Sequence, residues 1–234
     1  MTEAPTDRGT HADRFADAEP PPRPAFFRRL WMVFVQPGDL FRALALNPAW
    51  FPVAVFVALV VGVAMFLLPA EAFDAIWDNV PPEQRDQMPE MPPGLMRAMG
   101  TGGAALTTLI FPVFVALVTY VIFVFIRGDR ATFRQHLCVI AHAGMITAVG
   151  NVLLIPLRMR SLDVQQTLSI GSFFPFLPEG FLFELLTAID LFALWACIVT
   201  GIGLAVIDER RSATSTAAIV VGFLVLIAVI RALI

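Results

Sequence analysis

Between Glu184 and Ile207 the chain reads ELLTAIDLFALWACIVTGIGLAVI, an almost unbroken apolar run with one carboxylate, Asp190, about a third of the way in. Such a run predicts a membrane-spanning helix over residues 185–207, because about 20 residues at 1.5 Å rise cross a hydrocarbon core ~30 Å thick. An ionised carboxylate at that depth costs at least ~2.5–3.5 kcal/mol on insertion scales, and intramembrane acids face a bundle interior or a water-filled cavity. On a continuous helix Thr187, Asp190, Ala193, Cys197, Thr200, Gly201 and Leu204 share one face. Most of that stripe is small, and small residues let helices approach closely where lipid supplies no hydrophobic drive to association. The other apolar segments are expected to pack around it.

Four more runs read as spans: residues 51–68, with Pro52 in the first turn; 106–126, with a kink expected at Pro112; 138–157, carrying His142 and Asn151; and 217–234, with Arg231 placed to snorkel. The fold class is therefore all-α, a polytopic membrane protein with five transmembrane helices. The composition agrees, 58% hydrophobic against roughly 45–50% in soluble domains. A net charge of −3 excludes nucleic acid as an expected partner. All 16 basic residues are arginine, which fits a GC-rich bacterial genome. Cys138 and Cys197 both lie at or inside apolar runs and suggest no disulfide framework. The first 25 residues lack an apolar core, so no signal peptide is expected and the first span directs insertion.

Residues 1–25 are rich in Pro, Asp, Glu and Arg; they read as a disordered cytoplasmic tail preceding a membrane domain over 26–234. Phe26–Val35 reads as an interfacial helix. Phe26, Phe27, Leu30, Trp31 and Phe34 form its apolar face, and Arg28, Arg29 and Trp31 are the expected lipid contacts. Pro37 and Gly38 end it, and Asp39 is placed to cap a second short helix through Leu46. With the N-terminus inside, nine arginines flank the membrane on the inner side (Arg23, Arg28, Arg29, Arg42, Arg127, Arg130, Arg134, Arg210 and Arg211). Five flank it outside (Arg85, Arg97, Arg158, Arg160 and Arg231). The bias places the N-terminus in the cytoplasm and the C-terminus outside a cell (inner or plasma) membrane. Residues 69–105 read as the longest outside loop. Phe73, Ile76, Trp77 and Val80 suggest a second interfacial helix within it, before a proline-rich part. Thioethers such as Met88, Met91, Met96 and Met99 can hold Cu(I), but methionines on a loop resting against the membrane explain the pattern more simply.

The chemistry-bearing residues are few. Gly144, Thr147 and Asn151 share a helix face, with His142 nearly opposite Asn151. Glu184 and Asp190 lie about 240° apart and do not form a carboxylate pair; Glu184 suits the start of a helix. Asp190 is either a proton, cation or substrate contact, or a buried acid hydrogen-bonded to Asn151, a threonine or an indole such as Trp195. His142 has no second ligand at metal spacing, and no HExxH, GxSxG or P-loop occurs. No catalytic residue, cofactor or metal is expected.

Three stretches together are similar to the Yip1 family: QPGDLFRALALNPAWFPV with Pro37 and Phe41; ATFRQHLCVIAHAGMITAVGNVLLIPL; and AIDLFALWACIVTGIGLAVI with Asp190, Phe192, Trp195 and Gly203. The resemblance covers residues 26–234 and implies five transmembrane helices and a cytosolic N-terminus. Eukaryotic members are linked to Rab GTPases. This chain lacks their DLYGP-type motif and reads His142-Ala-Gly-Met where the family has an aromatic and a nearby proline, so Rab binding is not expected. The expected role is a non-catalytic membrane organiser or adaptor that contacts membrane lipids and a protein partner still to be identified. The alternative is a carrier or permease component for a lipid or small solute, with Asp190 and Asn151 lining the path.

Overall fold

Helix α5 (Phe133–Leu153) is the one against which most others rest. Around it, in chain order, are α1 (Phe26–Val35), α2 (Pro37–Ala45), α3 (Phe51–Phe66), α4 (Pro93–Tyr120), α6 (Ile155–Ser161), α7 (Phe181–Thr187), α8 (Leu191–Asp208) and α9 (Ala213–Leu233). Helix α4 runs on into a π-helical turn, Val121–Ile126. The structure is a computed structural model and describes residues 23–73, 81, 83, 92–208 and 210–233. Among these there is no strand, only an isolated bridge between Ser169 and Asp190.

Four helices are long and apolar enough to cross a membrane, and α3 is a shorter apolar helix of 16 residues, about 24 Å at 1.5 Å per residue. Neighbours run alternately up and down. Arg97, near the start of α4, bonds the Phe66 carbonyl at the end of α3. Tyr120, at the end of α4, packs edge-on to Phe133 and His136 at the start of α5. Gly150 of α5 abuts Phe192 of α8, and Gly201 of α8 lies on the backbone of Ala217 in α9. One end of the bundle therefore gathers the starts of α3, α5 and α9, with α2 and the start of α1, where Arg23 bonds Asn47; it is called the near end, and the opposite one the far end.

Several polar side chains of the spans bond back onto their own helix, which satisfies them without water. Thr119 donates to the carbonyls of Val115 and Ala116, Thr147 to Gly144, and the Asn151 amide to Thr147. The outer face of α4 leaves Leu106, Ile110, Phe111, Phe114 and Leu117 exposed, a lipid-facing stripe. At the near end the two turns are tied together. Arg211 pairs with Asp129 at 2.6 Å, and Asp208 Oδ1 accepts the Arg130 N–H at 2.8 Å.

Several boundaries differ from the sequence reading, each for a local reason. The span expected at 138–157 occupies 133–153. Thr132 and Gln135 form a reciprocal capping box that starts it early. After it the chain turns at Leu154 and restarts as α6 with Pro156 in the first turn. The segment 93–105, expected in a loop, is helical and extends α4. It is held by Arg97, whose guanidinium sits 4.3 Å from the Phe66 ring centroid, and by Phe73 packed against Gly100. The helix runs through Pro112 without interruption to Tyr120. The first and last apolar helices shift less, to 51–66 and 213–233. Asp39 is not the cap: it lies inside the first turn of α2 and pairs at 2.6 Å with Arg42 in the last turn. The predicted tail, apart from 23–25, lies outside the described residues, as do Ile76, Trp77, Val80, Met88 and Met91.

Helix α1 is not a loose surface helix. It leans on α5, with Leu30 clustered with Val53, Val57, Val61 and Ala148. Phe26 meets Phe56, and Phe34 meets Trp195, each at 5.5 Å between rings. It thus sits turns deep along the bundle's flank. Helix α2 continues inward, burying Leu40, Phe41 and Leu44; a Cβ at Gly203 would come within 2.8 Å of the Phe41 ring.

Candidate functional site

The span expected over 185–207 is not one helix. It breaks at 188–190. The Leu191 N–H donates to the Leu168 carbonyl and the Ile170 N–H to the Ile189 carbonyl, so the loop at 168–170 draws this segment out of helical geometry. Asp190 sits at the head of α8, where Oδ1 accepts the Ala193 N–H at 2.7 Å. Aspartate is among the best residues for capping a helix start, and there its charge also suits the positive end of the dipole. Asp190 is therefore not deep inside a span; among the described residues it is bonded to no asparagine, threonine or indole, and it shares no helical stripe with Thr187. Of the rest of the expected inner face, Thr200, Gly201 and Leu204 are buried, while Ala193 and Cys197 are only half-buried. Glu184 lies exposed in the first turn of α7.

Beside the break is a cavity of about 160 Å³ at the far end. Its polar wall comes from Thr147 and Asn151 on α5, Arg158 on α6, Thr167 in the loop and Asp190 at the head of α8; Phe192 is apolar wall. Asn151 and Asp190, named from sequence, are thus brought together. Arg158 was missed and counted among the outer arginines. Its signal was the stripe Thr147, Asn151, Leu154 and Arg158, spaced four, three and four residues apart on one helical face. Pro156 disguises that stripe because it reads as the end of the helix.

Arg158 is 6% exposed. Its Nη1 donates to Asn151 Oδ1 and its Nε to the Gln166 carbonyl, both at 2.9 Å. Burial draws its pKa below the ordinary arginine value, while Asp163 and Asp190 pull the other way; a guanidinium stays charged throughout. Among the described residues no ion pair within 4.0 Å joins Arg158 to a carboxylate. A positive and a negative group thus line one cavity without closing on each other.

The other singled-out residues lie elsewhere. His142 is buried on the opposite face of α5, where Nδ1 donates to the Cys138 carbonyl at 2.8 Å and the ring meets the edge of Phe41. Trp195 is partly exposed beside Phe34. Arg28 and Trp31 are exposed on α1, but Arg29 is not a lipid contact. It turns inward, 7% exposed, donates to the Ala49 carbonyl at 3.3 Å and stacks near Phe26. Burial lowers its pKa as well. Among the described residues no group of three His, Cys, Asp or Glu side chains is placed to hold a metal.

No curated protein and no solved structure matches the chain. The Yip1 domain matches it over residues 31–230, from α1 almost to the end of α9. With that match lying over a bundle of membrane-length helices, the chain belongs to the Yip1 family of multi-pass membrane proteins.

Proposed function

We propose that the protein is a non-catalytic membrane organiser that acts by holding α1 as a wedge in one leaflet, the cytoplasmic leaflet of a bacterial inner membrane. One observation carries this reading. Helix α1 is fixed to the bundle by Arg29, Leu30, Met32 and Val33, while Phe27, Trp31 and Val35, one turn apart from each other, stay exposed on its other side at 76%, 67% and 50%. An exposed apolar stripe of this kind signals contact with lipid or a partner. Beside the exposed Arg28 it suits the acyl-headgroup boundary of an anionic leaflet. A rigidly attached wedge adds area to that leaflet alone and favours curvature.

The test is reconstitution into anionic vesicles, with diameters measured by electron cryomicroscopy. The wild type is expected to narrow the vesicles, and a Phe27→Ser, Trp31→Ser double variant to leave them at the protein-free size. Equal diameters with and without wild-type protein would overturn the wedge. A second reading, a carrier for a lipid or small solute, is favoured by Asn151 and Asp190 lining one cavity. It requires flux across the vesicle membrane that Asp190→Asn abolishes in a folded protein.

A further inference from the structure

The far-end cavity has a chemistry more specific than a generic polar hole. Its buried cation, Arg158, is held rigidly by Asn151 and the Gln166 carbonyl, with Nη2 carrying no bond to any described residue. Its anion, Asp190, spends Oδ1 on the Ala193 N–H and keeps Oδ2. On the α5 wall of the same cavity Thr147 donates its O–H to the Gly144 carbonyl, which leaves its oxygen as an acceptor; the exposed Thr167 brings a second hydroxyl. The guanidinium matches phosphate geometry, and the carboxylate with the Thr147 oxygen matches a primary ammonium.

At about 160 Å³ the cavity is smaller than the ~300–1,000 Å³ of ordinary small-molecule pockets, which suits a headgroup and excludes acyl chains. Its surroundings suit a lipid. Val152, Leu153, Leu157, Phe176 and Phe181 are exposed on the elements flanking it, at the helix ends where a bilayer interface falls.

We infer that this cavity binds a phosphoethanolamine zwitterion, phosphate on Arg158 and ammonium on Asp190, presented by a phosphatidylethanolamine lipid or as the free molecule. The site does not depend on α1 acting as a wedge. It supplies the ligand that the carrier reading lacks, but binding here does not require transport.

The experiment is native mass spectrometry of the full chain in detergent with equal added phosphatidylethanolamine, phosphatidylcholine and phosphatidylglycerol, and separately with free phosphoethanolamine. The wild type is expected to retain phosphatidylethanolamine over both others. Phosphatidylcholine offers no N–H to Asp190, and phosphatidylglycerol offers no cation. Asp190→Asn keeps the helix cap and removes the charge. It is expected to lose the preference over phosphatidylcholine by roughly tenfold, the worth of one charge-assisted bond, at unchanged helicity. Arg158→Lys should weaken all three lipids together. Capture of the free molecule as well shows that the headgroup suffices; capture of the lipid alone shows that the chains add their share on the apolar rim. Either supports the site. Equal retention of the three lipids by the wild type, or an unchanged preference in folded Asp190→Asn, overturns it. Binding without flux would leave the site standing and remove only the carrier reading.

Discussion

Asp190 Oδ1 accepts the Ala193 backbone N–H at 2.7 Å, and this bond marks where one apolar run becomes two helices. Because asparagine caps as well as aspartate, Asp190→Asn should hold stability within a few tenths of a kcal/mol. Asp190→Ala should lose about 1 kcal/mol, the usual cost of a missing cap. Unfolding of the solubilised protein in graded denaturant checks this. A loss in Asp190→Asn as large as in Asp190→Ala would mean that the charge, not the cap, holds the break.

The same bond explains what the sequence concealed. Hydropathy sees 24 apolar-rich letters from Glu184 to Ile207 and one aspartate. It has no sight of the segment 168–170, whose pairing with 189–191 interrupts the helix. The spans themselves were legible because lipid demands length and apolarity together. The pairing of Asn151 with Arg158 was hidden behind Pro156, which punctuates the helix without turning the stripe away from the cavity. Arg29 misled differently: beside Arg28 it looked like a headgroup contact, yet successive residues lie 100° apart on a helix, and only Arg28 faces out.

Arg211 and Asp129 meet at 2.6 Å between the turns that join α4 to α5 and α8 to α9. Arg211 also donates to the Arg127 carbonyl. Bonding to Asp129 raises the pKa of Arg211 above its ordinary value, so the arginine stays cationic at any working pH. Asp129 is 7% exposed, and losing the arginine leaves a buried carboxylate without its cation. A double-mutant cycle of Arg211→Ala and Asp129→Ala should give a favourable coupling, the two single losses not adding up to the loss in the double variant. Additive single losses would show that the two turns are not joined through this pair.

Gly201 and Gly222 offer a matched contrast on α8 and α9. A Cβ at Gly201 would strike the Cα and N of Ala217, backbone atoms that cannot step aside; at Gly222 there is nothing within 4 Å. Gly201→Ala should force the two helices apart and lower the unfolding midpoint sharply. Gly222→Ala should be neutral or stabilise by up to ~1 kcal/mol, because alanine is the better helix former. The prediction is read from the pair: similar losses in both would place the α8–α9 contact elsewhere.

Orientation follows from counting the arginines with burial taken into account. At the near end Arg29 is spent inside the bundle, but Arg23, Arg28, Arg42, Arg127, Arg130, Arg134 and Arg210 lie at the exposed surface. Among the described residues at the far end, Arg158 is buried in the cavity wall and Arg97 is half-buried against Phe66, leaving Arg160 and Arg231 exposed. Set against those seven, the two exposed arginines at the far end leave a clear asymmetry, from which the positive-inside rule predicts that the near end faces the cytoplasm. A cysteine introduced at Ser212 should react with a membrane-impermeant maleimide only after the cells are opened, and one introduced at Ser161 in intact cells. Cys138 and Cys197, both inside the bundle, should be replaced by serine or alanine beforehand. Labelling of the Ser212 position in intact cells would invert the topology and move the α1 wedge to the outer leaflet.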